Sequence, residues 1–307
     1  MRSPQSWCAA KAARSLRCIL ALVVTTLTAC DRSTPPPPIA NASPRIVAFS
    51  PAVGIILTDL GREQQVVGRH GYDDFLPRDI PTCGDQAGID YERLLGMNPT
   101  HVITQWGKRD YPAKLRRLAD ERSWVLLDTP LTTLADIEDG VRQIDETFGP
   151  PTGGSPEYRA LRERMAAAWS PVPGAEKMGR VLLLASATPP AAFGPGSCHQ
   201  DILVRLGGIP AITSGAAYVQ MDAEDVLKCA PDAIVLILPR APDKPTATGD
   251  ATAALGGLAN LDIPAIKNGR LKLIDDPAGQ IPSTSMVRFG EELGTWLGRP
   301  GRTDGKD

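Results

Sequence analysis

From Arg45 onwards, short apolar runs alternate with longer amphipathic stretches. The run Arg45 to Phe49, closed by Ser50-Pro51, predicts a buried strand. A helix is predicted over 52–60 and is stopped by Gly61. Strands follow at 65–68, 101–104 and 123–127, and helices at 90–97, 111–122 and 134–148. The segment Gly149-Pro150-Pro151-Thr152-Gly153-Gly154 breaks the pattern. Ser155 as cap and Pro156 at the first position then open a helix through Leu161, Met165 and Trp169, ending near Pro171. The alternation resumes with a strand at 180–186. A helix to Leu206 is opened by Ser197-Cys198-His199-Gln200 in the manner of a capping box. Elements at 225–229, 233–238, 271–275 and 285–297 complete the pattern, with a Pro-, Asp- and Thr-rich surface loop at 240–250. Strands alternating with helices imply a mostly parallel sheet with covered faces.

One helix–strand unit occurs twice. Asp90-Tyr91-Glu92-Arg93-Leu94-Leu95 leads after three residues to Pro99 and a strand, and Asp222-Ala223-Glu224-Asp225-Val226-Leu227 leads in the same way to Pro231 and a strand. Glu92 and Glu224 lie 132 residues apart. Two copies at this spacing point to two related lobes rather than a solenoid. The acids also have a plain reading, because a first helical turn favours negative charge whatever its function.

The first 17 residues carry Arg2, Lys11, Arg14 and Arg17 and no acid, and an apolar run follows from Cys18 to Ala29. Twelve residues are too short for a bilayer, which needs about 20. A basic stretch followed by a short apolar one is the pattern of a secretory signal peptide. Its end, Leu27-Thr28-Ala29-Cys30, resembles the bacterial lipobox, in which small residues precede a lipid-accepting cysteine. The expected anatomy is a leader at 1–29, a tether at 30–44 and a chain anchored to a membrane through lipidated Cys30, on the extracytoplasmic side. Pro35 to Pro38 keep that tether extended, at about 3.1 Å per residue.

Composition narrows the function. Hydrophobic residues make up 42% and charged residues 22%, the balance of a globular chain. The formal charge is −2, and without the leader it falls to −6, from 29 basic and 35 acidic residues. A nucleic-acid partner is therefore not expected. No Gly-x-Ser-x-Gly, phosphate-binding loop, His-x-x-x-His or dinucleotide fingerprint occurs, so an enzyme is not expected either. Gly194-Pro195-Gly196-Ser197 precedes a helix and invites an anion, but its proline removes a donor.

Residues 45–300 resemble the periplasmic binding proteins that feed metal-chelate ABC importers, the vitamin B12, ferric-siderophore and haem binding family. The resemblance rests on Ser50-Pro51, Val66-Val67-Gly68-Arg69, Ile80-Pro81-Thr82-Cys83-Gly84, both Glu…Pro units, Gly194-Pro195-Gly196-Ser197, and Asp201 to Gly208. It implies an α/β fold of two Rossmann-like lobes joined by one long helix, with the ligand cleft between them. The lobes would be 45–154 and 172–300, with the connecting helix at 155–171 and a tail at 301–307. It further implies an extracytoplasmic, monomeric carrier with no intrinsic cofactor, which delivers a metal-chelate to an ABC permease and its ATPase. By motif position, Glu92 and Glu224 would dock that permease, one from each lobe.

Loops after strands should line the cleft. They nominate Arg69, Tyr72, Trp106 and Lys108 from the first lobe and Phe193 and Ser197 from the second as ligand-binding residues. Flat rings suit a macrocycle or aromatic chelate, and the cations suit peripheral carboxylates or phosphates. Among chelates a corrinoid is placed ahead of haem and ferric siderophore. Cys83, Cys198 and His199 have three open readings: ligands to a metal centre, a Cys83–Cys198 disulfide, or unpaired small residues. The rival functions are an anchored ligand-sensing or interaction protein on the same fold, and a metal- or thiol-dependent enzyme.

Overall fold

The computed structural model describes residues 43–298, apart from 86, 108–109, 151 and 246–249. The leader, Cys30, the tether up to residue 42 and the tail lie outside the described residues. Among those described, no helix is long and apolar enough to cross a membrane.

The first half runs β1 (Ile46–Ala48), α1 (Pro51–Asp59), β2 (Val66–Arg69), β3 (Gly84–Asp85), β4 (Gly88–Ile89), α2 (Tyr91–Met97), β5 (His101–Thr104), α3 (Ala113–Arg122), β6 (Val125–Asp128) and α4 (Leu134–Phe148). Four of its strands form a parallel sheet in the order β2-β1-β5-β6. Side chains alternate across it as a strand's period of two requires. Ile46 and Ala48 face the core shared with α1 and α4, while Val47 faces a second cluster with Leu94 of α2 and Leu115 of α3. The strand expected from residue 123 begins at Val125, because Ser123 ends α3 in the left-handed region, at φ 56°.

After α5 (Pro156–Ala168) come β7 (Arg180–Ala187), β8 (Pro190–Phe193), α6 (Cys198–Arg205), β9 (Ile209–Pro210), β10 (Tyr218–Gln220), α7 (Ala223–Cys229), β11 (Ala233–Ile237), α8 (Ala251–Leu255), α9 (Pro264–Lys267), β12 (Leu271–Ile274) and α10 (Met286–Leu297). Their sheet has the order β10-β8-β7-β11-β12, with β9 also on β7. It is mixed: β7, β9, β11 and β12 pair in parallel, whereas β8 runs antiparallel to both β7 and β10. Ala233, Val235 and Ile237 face the shared core, and Ile234 and Leu236 face a third cluster under α7, α8 and α9.

The repeated unit has one structure in both places. Asp90 and Asp222 cap α2 and α7, accepting from the backbone N–H of Arg93 and Asp225. Both helices have seven residues and end on a left-handed residue before proline, Asn98 and Ala230, and each leads to an interior strand of its sheet, β5 or β11.

The two lobes share one apolar core. Trp169, the C-cap of α5, is buried in it, and its Nε1–H donates to Met286 O at the start of α10 over 3.0 Å. Gly290 of α10 leaves room for that ring, since a Cβ there would lie 2.7 Å from Trp169 Cδ1. Three polar contacts link α4 and the residues before it to α6. Arg205 pairs with Glu138 at 2.7 Å, Leu134 N–H donates to Asp201 Oδ2 at 3.0 Å, and Cys198 N–H donates to Thr132 O at 2.9 Å.

Candidate functional site

In the first sheet the chain leaves β1 to one side for β2 and to the other for β5, so the order reverses between β1 and β5. Such a switch point leaves a crevice at the carboxyl ends of the strands. Here it holds a cavity of about 870 Å³. Phe49 and Ser50 enter it from the end of β1, His70 from the end of β2, and Gln105 and Trp106 from the end of β5. Ser50 bridges the switch point by donating its hydroxyl to Gln105 Oε1, while its Oγ accepts Ala52 N–H as the cap of α1. The β3–β4 hairpin adds Asp85 and Ile89, and α2 adds Tyr91.

Phe49 and Trp106 are neighbouring rings of the lining, and Tyr111, outside the lining, lies against Trp106. Trp106 lies 6.4 Å from Phe49 and 5.8 Å from Tyr111, centroid to centroid, both tilted. Asp128 Oδ1 accepts the Trp106 backbone N–H at 2.8 Å and fixes the start of that loop. The loop after β2 is pinned at its base, where Arg69 N–H donates to Pro81 O and Cys83 N–H to Arg69 O, each at 3.0 Å. Within it Asp73 is fully buried. Its Oδ1 accepts the N–H groups of Phe75 and Leu76, and burial raises its carboxyl pKa. Gly54 of α1 passes beneath, where a Cβ would meet Asp73 Oδ2.

Of the nominated ligand-binding residues, Trp106 is brought to the cavity. Arg69 is not: its guanidinium donates to the carbonyls of Ile80 at 2.9 Å and Asp73 at 2.7 Å, so it supports the loop instead of offering a charge to a ligand. Tyr72 is 60% exposed and sits beside His70, 5.7 Å between rings, outside the cavity lining. Lys108 lies outside the described residues. Phe193 stacks on His199 at 3.7 Å, and Tyr218 meets its edge. Ser197 is a buried cap for α6 that accepts Gln200 N–H and donates to Gly194 O. Neither Phe193 nor Ser197 reaches this cavity, whose lining runs from residue 49 to residue 112. At the carboxyl edge of the second sheet, the Gln280 amide instead ties β7 to β11 through Ala185 O and Ile237 O.

The metal site and the disulfide read from Cys83, Cys198 and His199 are both corrected. Cys83 is buried on the face of the first sheet that carries α2 and α3, with its thiol on Arg69 O, whereas Cys198 is buried in the shared core. Both thiols are free, and burial pushes each up to about 12. His199 is fixed separately, with Nε2 on Gly279 O at 2.8 Å. Among the described residues, no group of three His, Cys, Asp or Glu is placed to hold a metal ion.

Ser50 entered the sequence reading only through the Ser50-Pro51 motif and Gln105 only as a neighbour of Trp106 in a cleft loop, and neither they nor Tyr91 were nominated as ligand-binding residues. The switch-point rule reaches the first two once the strand order is known, but a tyrosine opening a helix carries no such signal. Glu92 and Glu224 are exposed at the second position of α2 and α7, and Glu224 pairs with Lys228 at 2.9 Å.

Residues 46–278 match the family model for periplasmic binding proteins. The chain belongs to that family. Among solved structures, this periplasmic binding protein is similar to a periplasmic haem-binding protein of Vibrio cholerae, with TM-score 0.63 and 20% identity over 83% of this chain and 99% of that one. A periplasmic vitamin B12 binding protein of the same organism gives 0.61 and 20%, over 82% and 96%. An ABC-type Fe3+-hydroxamate transport protein of Saccharomonospora viridis gives 0.56 and 19%, over 84% and 94%. No curated protein sequence matches this periplasmic binding protein.

Proposed function

We propose that this periplasmic binding protein captures a metal-chelate of macrocycle or siderophore size and delivers it to an ABC importer. The observation that carries the reading is the cavity of about 870 Å³ walled by Phe49, Trp106 and Tyr91 at the switch point. That volume lies in the upper part of the range for small-molecule sites, about 300–1,000 Å³. Its aromatic walls favour a broad, planar ligand over a bare ion. A corrinoid is the first candidate, ahead of haem and ferric siderophore. The solved relatives named for haem, vitamin B12 and Fe3+-hydroxamate are consistent with that class.

Titration of the protein with cyanocobalamin, cobinamide, haemin and representative ferric siderophores, followed by tryptophan fluorescence and calorimetry, tests it. Micromolar or tighter binding, about −8 kcal/mol, is expected for at least one. Trp106→Ala should then cost about 1–2 kcal/mol. Tight binding of a free metal or a small nutrient, with none of these chelates bound, overturns the reading.

Delivery would use Glu92 and Glu224 as paired contacts to a basic permease surface. Their exposure and matched positions on two repeats support this role. Glu92→Ala and Glu224→Ala are expected to leave chelate affinity within about threefold and to impair uptake in cells, since rim charges act mainly on encounter and register. A large loss of chelate affinity in either folded variant refutes the assignment. We also read Cys30 as the lipid-anchored first residue of the mature, extracytoplasmic chain. Cys30→Ser should release the protein from the membrane fraction; a wild-type protein without acyl chains contradicts this.

A further inference from the structure

The ring of His70 has one nitrogen already committed. Tyr72 N–H lies 3.2 Å from His70 Nδ1, and a backbone N–H can only donate. Nδ1 therefore holds a lone pair, and in the neutral ring the proton sits on Nε2. Burial in the cavity wall lowers the pKa of this imidazole despite the nearby carboxylates of Asp85 and Asp73, which keeps it neutral. Among the described residues, Nε2 has no hydrogen-bond partner, while the side chain lines the cavity. The other polar groups there include the acidic side chains of Asp85 and Asp110, the Ser50 hydroxyl, which is given to Gln105 Oε1, and two further donors on the aromatic wall, the Tyr91 hydroxyl and the Trp106 indole N–H.

We propose that His70 is a specificity-determining residue that offers a bound chelate an Nε2–H donor and not a nitrogen lone pair. It would select a ligand with a peripheral carbonyl or amide oxygen and leave the metal's coordination to the chelate itself. Coordination through Nε2 would require the proton to move to Nδ1, where it would face the Tyr72 N–H across the space of a single hydrogen. This inference rests on the chelate reading of the cavity and names the ligand feature that the cavity reads.

The test uses dicyanocobinamide and ferrichrome, whose metals have no open position, and haemin, whose iron has one. At least one of the saturated chelates should bind the wild-type protein. For it, His70→Phe should weaken binding about tenfold and His70→Gln, which keeps an N–H, by less than about threefold, with unchanged visible spectra. Nitrogen-15 spectra of the ligand-free protein should place the His70 proton on Nε2. Equal affinity in folded His70→Phe, a proton on Nδ1, or a haemin band shift that His70→Phe abolishes overturns the role given to His70 while leaving the chelate reading intact. A wild-type protein that binds no chelate of the full titration series, and instead binds a free metal or a small nutrient tightly, overturns the chelate reading, and this inference with it.

Discussion

Trp169→Ala is expected to lower the unfolding free energy by about 3–5 kcal/mol, as for the deletion of a large buried aromatic ring. Trp169 is 1% exposed at the end of α5, and its indole N–H reaches Met286 O, 117 residues away. The ring lies against Gly290 on α10, and the Arg205 guanidinium of α6 is 5.9 Å from its centre. Neighbours on two other helices cannot all collapse into the space left behind, so most of the cavity would persist. Urea denaturation should show a lower midpoint with an unchanged slope. A loss below about 1 kcal/mol would mean that α10 closes the gap and that the indole is not a keystone. Gly290→Val should be destabilising from the opposite direction, by overpacking, since its Cβ would fall 2.7 Å from the ring.

Acid should destabilise the protein between about pH 6.5 and pH 4 through His199. The ring is completely enclosed, and burial lowers its pKa to about 4. Gly279 O accepts from Nε2, and the Cys198 thiol faces Nδ1 at 3.6 Å, so the neutral ring is satisfied on both sides. In this window the unfolded chain takes up a proton that the folded chain refuses. Stability is therefore fully present above about pH 6.5 and falls as the pH drops towards 4, by about 3 kcal/mol in all. Asp73 works in the other direction, because its raised pKa makes the folded form bind its proton first. The contribution of His199 is isolated by comparison with His199→Gln, in which the drop specific to this window should vanish. If the two proteins lose stability in parallel from pH 7 to pH 4, His199 is not the group responsible.

Where a residue's environment is local, sequence was informative. The alternation in β1, β7 and β11 follows from their apolar runs, and the Asp-capped repeats are readable because a cap acts on a backbone N–H three residues away. Ser155-Pro156 marks the start of α5 for the same reason. The hairpin β3–β4 gives no periodic signal: its strands have two residues each, and Gly84 and Gly88 take φ values of 136° and 146° that no residue with a Cβ holds comfortably. The antiparallel β8 and β10 were hidden because strand direction depends on which partner edge is free. Site residues divide in the same way. Trp106 could be placed because it follows a strand. Arg69 could not, because its position matched a ligand contact while its Nε and Nη1 donors are taken by carbonyls of the loop that folds over it. Cys83 sits in a segment that reads as a loop and Cys198 where a loop turns into α6, and only the packed structure separates them into different cores.

The three contacts between the α4 segment and α6 have a kinetic consequence. Swinging the lobes apart would break a charged pair and two hydrogen bonds to backbone N–H groups, and would uncover part of the shared core. Each hydrogen bond lost costs on the order of 1 kcal/mol, the half-exposed ion pair less, and the uncovered core adds to these, so widely opened forms are scarce. A guest then arrives at the unassisted encounter rate, about 10⁵–10⁷ M⁻¹s⁻¹, without waiting for a hinge. No closing motion prolongs its stay, and its residence time is set by its own contacts.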